Sequence, residues 1–451
     1  MTPFDPRLAR RAALLTGTAA LLGACSVFNG DFFDDLFATS KVPATGRRED
    51  IALPRLGFDN PGRDQRPIVL PAPETNASWT QPGGNAAHVM GNLALGGKLS
   101  EAWTADIGAG AGYRRKITAQ PLVSGSRVFS MDSDGVVSAF QIATGRRDWR
   151  TDTQGEKDRS TNVGGGISTD GTTVFAATGR AEVLGLNAAT GAIKWRVPLG
   201  TPARSAPTIA DGKLFVSTLD NRAVAFSASD GKQLWAYQGT SSVTSVLGET
   251  SPAAANGLVV VGFGSGELAA LRAENGSVAW TDTLAPIGGR NSLTDFSAVR
   301  GLPVIDQGRV IAIGLGGLMV ALDLTAGRRL WERQIGGGNT PWVAGDTVFV
   351  VTSDQRLIAL ARDDGADRWS VEMPRYENPA RKRDPIFWLG PVLVNQRLIV
   401  SGTNGIARSF NPLNGADVGT YKLSGPAALP PIVAQGMVFL VSADGKMLAL
   451  K

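Results

Sequence analysis

From about residue 100 the apolar and polar positions alternate in short runs, with the period of strands rather than of helices. Lys213 to Thr218 alternates and is rich in β-branched and aromatic residues, as a half-buried strand should be. Before it, Pro207-Thr-Ile-Ala reads as a short inner strand that ends at an Asp211-Gly212 turn. Asp220-Asn221 turns the chain into Ala223-Val-Ala-Phe226, and Asp230-Gly231 makes a tight hairpin to a fourth strand that holds Trp235. Glycine accepts the positive φ that such a hairpin needs.

This four-strand unit recurs. With Pro121, Ile167, Pro207, Pro252, Pro303, Pro341, Pro391 and Pro431 as starting points, a large apolar residue stands nineteen positions on, from Phe140 and Leu186 through to Leu450. A small residue precedes each of these, such as Ala139, Gly185 and Ala225, and is expected to let neighbouring sheets approach closely. Twenty-four positions on stand Gly145, Gly191, Gly231, Gly276, Gly327, Gly365 and Gly415. Twenty-eight on stand Trp149, Trp195, Trp235, Trp280, Trp331 and Trp369, with Gly419 as the departure. Repeats of this length, each a four-stranded sheet, stack into a β-propeller. The eighth unit runs out at Lys451 before its outer strand, while Leu99-Ser-Glu-Ala-Trp103 is an outer strand without a unit. The pattern therefore predicts an all-β, eight-bladed propeller whose last blade is completed by this N-terminal strand, which protects the sheet edges. Seven blades or a non-closing array are the alternatives.

The first 25 residues read as an export signal. Arg7, Arg10 and Arg11 precede an apolar stretch from Ala12 to Gly23, which is too short for a membrane span. Leu22-Gly-Ala-Cys25 closes it and resembles the lipobox of bacterial lipoproteins, which implies lipidation of Cys25. Ser26 follows instead of the aspartate that retains lipoproteins in the inner membrane, so the expected location is the periplasmic face of the outer membrane. The expected domains are a signal peptide over 1–24, a lipid-anchored flexible linker over 25–78 and a propeller over 79–451. A linker of some 50 residues has an r.m.s. reach of about 40 Å.

Composition removes much chemistry. His88 is the one histidine and Cys25 the one cysteine, which leaves no material for a His- or Cys-based metal cluster and makes a Ser-His-Asp triad improbable. The net charge of +5 carries no dense basic tract, so nucleic-acid binding is not indicated. Asp132-Ser-Asp134-Gly135 has part of a calcium-loop pattern but falls at a hairpin turn, where Asp-Gly is expected anyway. The stretch 370–390, with Arg375, Tyr376, Arg381, Lys382, Arg383 and Trp388, is a candidate surface. His88 reads as a structural side chain.

The core Ala188-Ala-Thr-Gly-Ala-Ile-Lys-Trp195, repeated along the chain, resembles the quinoprotein (PQQ-like) repeat. Two functional classes share that repeat. One is the pyrroloquinoline quinone dehydrogenases, which often carry an adjacent cysteine pair; this chain has none. Lipobox, tether and eight blades together are similar to the BamB family, lipoprotein subunits of the outer-membrane β-barrel assembly machine. That resemblance implies a scaffold that is not an enzyme, holds no cofactor, docks on the periplasmic domains of the barrel-assembly protein BamA, contacts other subunits of the machine and assists unfolded outer-membrane precursors. It implies docking through loops between central blades, where an outer strand leads into the next blade. Thr244 to Pro252 matches the family's docking loop in Gly248, Glu249 and Pro252 and keeps apolar Val246, while Leu247 stands where the enterobacterial form has arginine. The loop from Thr281 to Leu302 carries Asp295, Phe296 and Arg300, with Ala298 and Arg300 in place of the enterobacterial aspartate pair. A generic envelope-binding propeller is the alternative reading, and a quinone dehydrogenase the third.

Overall fold

The computed structural model describes residues 64–96, 99–113, 115–156, 160–242, 250–284 and 297–451, all within the unit Pro54–Lys451. Every regular element among them is a strand. Eight antiparallel four-stranded sheets form the blades of a propeller: blade 1 (122–152), blade 2 (165–198), blade 3 (208–238), blade 4 (253–283), blade 5 (304–333), blade 6 (342–372), blade 7 (388–422) and blade 8 (432–450). The innermost strands of blades 1 to 7 lie side by side in sequence order. Turns between the first and second strands are tight; in blade 3, Asp211 and Gly212 both have positive φ (49° and 69°), the conformation that matches strand twist.

The fourth strand of blade 8 is Glu101–Asp106, paired antiparallel with Lys446–Leu450 so that Trp103 faces Ala449. Backbone hydrogen bonds of 2.9 Å in both directions between Ser100 and Lys451 finish the pairing. The two ends of the propeller are thus held by a ladder instead of a covalent turn, as the truncated eighth repeat implied.

Each outer-strand tryptophan does two jobs. Trp149 faces Ala139 across its own sheet, and Trp195 faces Gly185, where an added Cβ would stand 2.5 Å from the indole. The small residue of the repeat faces its own blade's tryptophan, and at Gly185 it makes room for it. The indole's other side meets the hairpin glycine of the next blade. Added Cβ atoms at Gly145, Gly191, Gly231, Gly276, Gly327, Gly365 and Gly415 would stand 2.4–2.8 Å from Trp103, Trp149, Trp195, Trp235, Trp280, Trp331 and Trp369. Those glycines also have φ of 67–74°, so both backbone and neighbour demand the residue. Six of the indoles donate across the junction to a backbone carbonyl at 2.7–3.1 Å, as Trp280 Nε1 does to Leu324. Seven of the eight junctions carry this lock; the one from blade 7 to blade 8 does not.

The segment before the closing strand crosses one mouth of the ring and touches every blade in turn. Asn76 Nδ2 donates to Val433 of blade 8, Trp79 pairs with Val123 of blade 1, and the carbonyl of Thr80 accepts from Thr169 of blade 2. Gln81 exchanges two bonds with Ile209 of blade 3. The carbonyls of Ala86 and Ala87 accept from Ala254 and Ile305 of blades 4 and 5. Trp342 of blade 6 donates to Gly91, and Leu93 pairs with blade 7 at Leu393 and Asn395. His88 is buried, with Nδ1 2.7 Å from the carbonyl of Pro303. This segment lies at the mouth formed by turns between first and second strands. Asp64 also contacts the propeller, accepting from Arg66 and from Arg368 of blade 6.

Candidate docking face

The opposite mouth is made by the loops that lead from each outer strand into the next blade, together with the turns between second and third strands. Val246, Leu247, Gly248 and Glu249 of the first candidate loop lie outside the described residues, as do Asp295 and Phe296 of the second and the lipobox cysteine Cys25. Arg300 is described and exposed, on the last part of the loop from blade 4 to blade 5. It forms no ion pair among the described residues. Its neighbours Ala298, Val299 and Leu302 are buried and hold the loop's base.

A side chain that the sequence reading passed over lies beside it. Arg204, on the loop from blade 2 to blade 3, is 2% exposed. Its Nη2 donates to the carbonyl of Val299 at 2.9 Å, while Nε and Nη1 have no partner among the described residues, and none of the described carboxylates pairs with it. Burial, and then repulsion from the Arg300 charge, lower its pKa from the ordinary arginine value to about 10, so it stays charged at neutral pH. Val299 also accepts from Thr250 Oγ1 at 2.8 Å, and the carbonyl of Thr250 accepts from Ser217 Oγ at 3.0 Å. These bonds tie the bases of three successive loops together. The arrangement buries one arginine beneath the exposed Arg300 at this mouth.

The sequence held a signal for Arg204. It stands three residues before Pro207, as Glu249 stands three before Pro252 and Arg300 three before Pro303. One repeat position thus carries a charge in three successive units, and reading the loops one at a time hides it.

The other candidates fall into place around the ring. Asp132 caps the turn between Arg127–Met131 and Val136–Gln141, accepting from the N–H groups of Ala109, Asp134 and Val136 at 2.9–3.0 Å. Burial pushes its pKa up, against those bonds. Asp134 pairs with Arg115 at 2.6 Å. Among the described residues no group of three His, Cys, Asp or Glu side chains could hold a metal. The basic stretch forms a small hairpin, Tyr376–Asn378 with Arg383–Pro385, and exposes Arg381, Lys382 and Arg383. Trp388 does not belong to that surface: it is buried and donates to Pro374 at 2.8 Å.

Comparison with known proteins agrees with this architecture. An assembly factor from Yersinia pestis, named outer membrane protein assembly factor BamB, is 28% identical over 357 residues, covering 78% of this chain and 88% of that protein. The crystal structure of BamB from Moraxella catarrhalis superposes with a TM-score of 0.67 at 20% identity, over 78% of this chain and all of that one. Quinohemoprotein alcohol dehydrogenase from Comamonas testosteroni reaches the same TM-score at 14% identity, over 83% of this chain and 80% of that one, so fold alone does not separate the two classes. The family model does. That of outer membrane protein assembly factor BamB matches residues 100–162 and 153–371, from the closing strand into blade 6, and the chain belongs to that family.

Proposed function

We propose that this chain is a non-enzymatic scaffold lipoprotein of the outer-membrane β-barrel assembly machine, assisting the folding and insertion of outer-membrane proteins. One observation carries the assembly role: the match of residues 100–371 to the family of assembly factors. In this reading residues 1–24 are removed on export, Cys25 carries the lipid anchor on the periplasmic face of the outer membrane, and the following residues tether the propeller. The loop-bearing mouth docks on the periplasmic domains of BamA. Val246, Leu247, Gly248, Glu249, Asp295, Phe296 and Arg300 make the contact, and the charge of Arg204 behind Arg300 draws an acidic surface toward it. The opposite mouth supports this choice of face, because the chain's own residues 76–93 already occupy it.

Photo-crosslinking in cells from position 247, with a second probe at position 300, tests the proposal. BamA is the expected partner at both positions. Capture of another envelope protein at both would mean that the fold was kept and the partner changed. The catalytic alternative has its own test. Adding pyrroloquinoline quinone and calcium to the pure protein should give no stoichiometric change in absorbance, and stoichiometric binding would overturn the scaffold reading.

A further inference from the structure

Blade 7 departs from the repeat twice. Its outer strand carries Gly419 where the other blades carry tryptophan, paired opposite Ser409 as each indole is paired opposite a small residue. The blade it faces has no hairpin glycine, because blade 8 closes through the separate chain ends Ser100 and Lys451. Neither half of the lock is present. An added Cβ at Gly419 would meet only Ser409 Oγ, at 3.7 Å, whereas one at each hairpin glycine of the locked junctions would stand 2.4–2.8 Å from an indole. In its place the structure has a cleft of about 660 Å³. Leu99, Ile399, Val438, Leu440 and Leu450 supply apolar walls.

The surroundings of this cleft also stand apart. The strand Asp417–Lys422 is exposed along its whole length, while the outer strands of blades 1, 3 and 4 each bury their tryptophan. Leu413, Val418 and Tyr421 beside it are 53%, 45% and 42% exposed. Among the described residues, the charged ones lining the cleft are Arg397 and Arg408, and none is acidic. Arg408 pairs with Asp417 at 2.5 Å but leaves Nε without a partner; Arg397 is exposed and forms no ion pair among the described residues.

We propose that the cleft between blades 7 and 8 binds an extended segment of a partner protein, through one aromatic side chain flanked by acidic residues. The aromatic ring takes the place that an indole fills at the other seven junctions. The acidic neighbours meet Arg397 and Arg408, and the partner backbone runs along the unpaired edge of Asp417–Lys422, as peptides do on open sheet edges. The cleft reaches Val394 and Asn395, at the turn between the first and second strands of blade 7. This binding does not depend on the assembly reading.

The test uses the purified full chain and a short fluorescein-labelled peptide with one tryptophan between aspartates, followed by fluorescence anisotropy. Saturable binding is expected, with about a tenfold loss when the peptide's tryptophan becomes alanine, the scale of an aromatic anchor in a pocket. A similar loss is expected when its aspartates become lysines. Gly419→Trp fills the cleft and should abolish binding. Because Gly419 has a φ of 155° and an added side chain could disturb the strand, Arg397→Glu on an exposed side chain provides the second arm and should weaken binding about fivefold. No saturable binding overturns the proposal, as does binding unchanged in both variants. Displacement of the peptide by stoichiometric palmitate in the wild type but not in Gly419→Trp would assign the cleft to lipid and overturn it equally.

Discussion

The junction between blades 3 and 4 and the junction between blades 7 and 8 are built from the same repeat and held in different ways. At the first, Trp235 lies between its own sheet and Gly276 of the next blade, donates to Ala273 at 3.1 Å and tilts against Phe215 at 5.8 Å. At the second there is no indole and no hairpin, and the blades enclose a cleft. The lock needs a tryptophan on one blade and a covalent hairpin on the next. A propeller closed by a ladder between its chain ends must lose the hairpin at one junction, and Gly419 shows that the tryptophan is absent there too. What spans the open junction at the inner rim is the crossing segment, with Asn76 on blade 8 and Leu93 on blade 7.

The largest expected effect comes from breaking a lock. Trp280→Ala should cost about 3–5 kcal/mol in urea unfolding, the range for emptying a buried aromatic site, since Trp280 is 8% exposed and hydrogen-bonded to Leu324. A cost below about 1 kcal/mol would remove the distinction between locked and open junctions.

Acid tests the crossing segment next. Burial holds the pKa of His88 near 4, below its ordinary 6.5, against the opposing effect of the Pro303 carbonyl. The unfolded chain therefore takes up the proton first as pH falls. The stability from neutral His88 is fully present above pH 6.5 and declines between 6.5 and about 4. At about 1.4 kcal/mol per unit the loss approaches 3 kcal/mol. Urea midpoints measured across that window should fall with pH in the wild type, and much less in His88→Gln.

Removing a buried charge that no described carboxylate pairs with should work in the other direction. Arg204→Met is expected to raise stability by about 1 kcal/mol, because an unpaired buried charge is costly and an apolar side chain of similar volume is not. The same variant should weaken crosslinking to the partner from position 300. Lower stability instead would mean that the bond to Val299 outweighs the burial of charge. The smallest effect belongs to the open junction: Tyr421→Ala, at an exposed position, should change stability by less than about 0.5 kcal/mol.

Much of this molecule was legible in the sequence because a repeat states its rule many times. Strand order, hairpin turns, the lock tryptophans and closure by the strand around Trp103 all follow from positions compared across units. What was not legible lies outside the repeat's phase. Residues 76–93 read as packing on the propeller ahead of the closing strand, but they bind through backbone groups and single side chains such as Asn76 and Gln81, which leave no period to say which blade each one meets. At Ala139 and Gly185 spacing gives a residue's size but not that the facing indoles of Trp149 and Trp195 are the neighbours it meets first. The docking contacts rest on the resemblance for Val246 to Glu249, Asp295, Phe296 and Arg300; of these the structure describes Arg300, exposed, with the buried Arg204 nearby.

Hydrogen exchange read by mass spectrometry, strand by strand on the intact protein, tests most directly the claim that seven junctions are locked and one is open. The outer strand Asp417–Lys422 of blade 7 should exchange first, ahead of the outer strands Gln233–Gln238 and Val278–Thr283. Equal protection around the ring, or first opening at a junction that carries a tryptophan, would contradict the account.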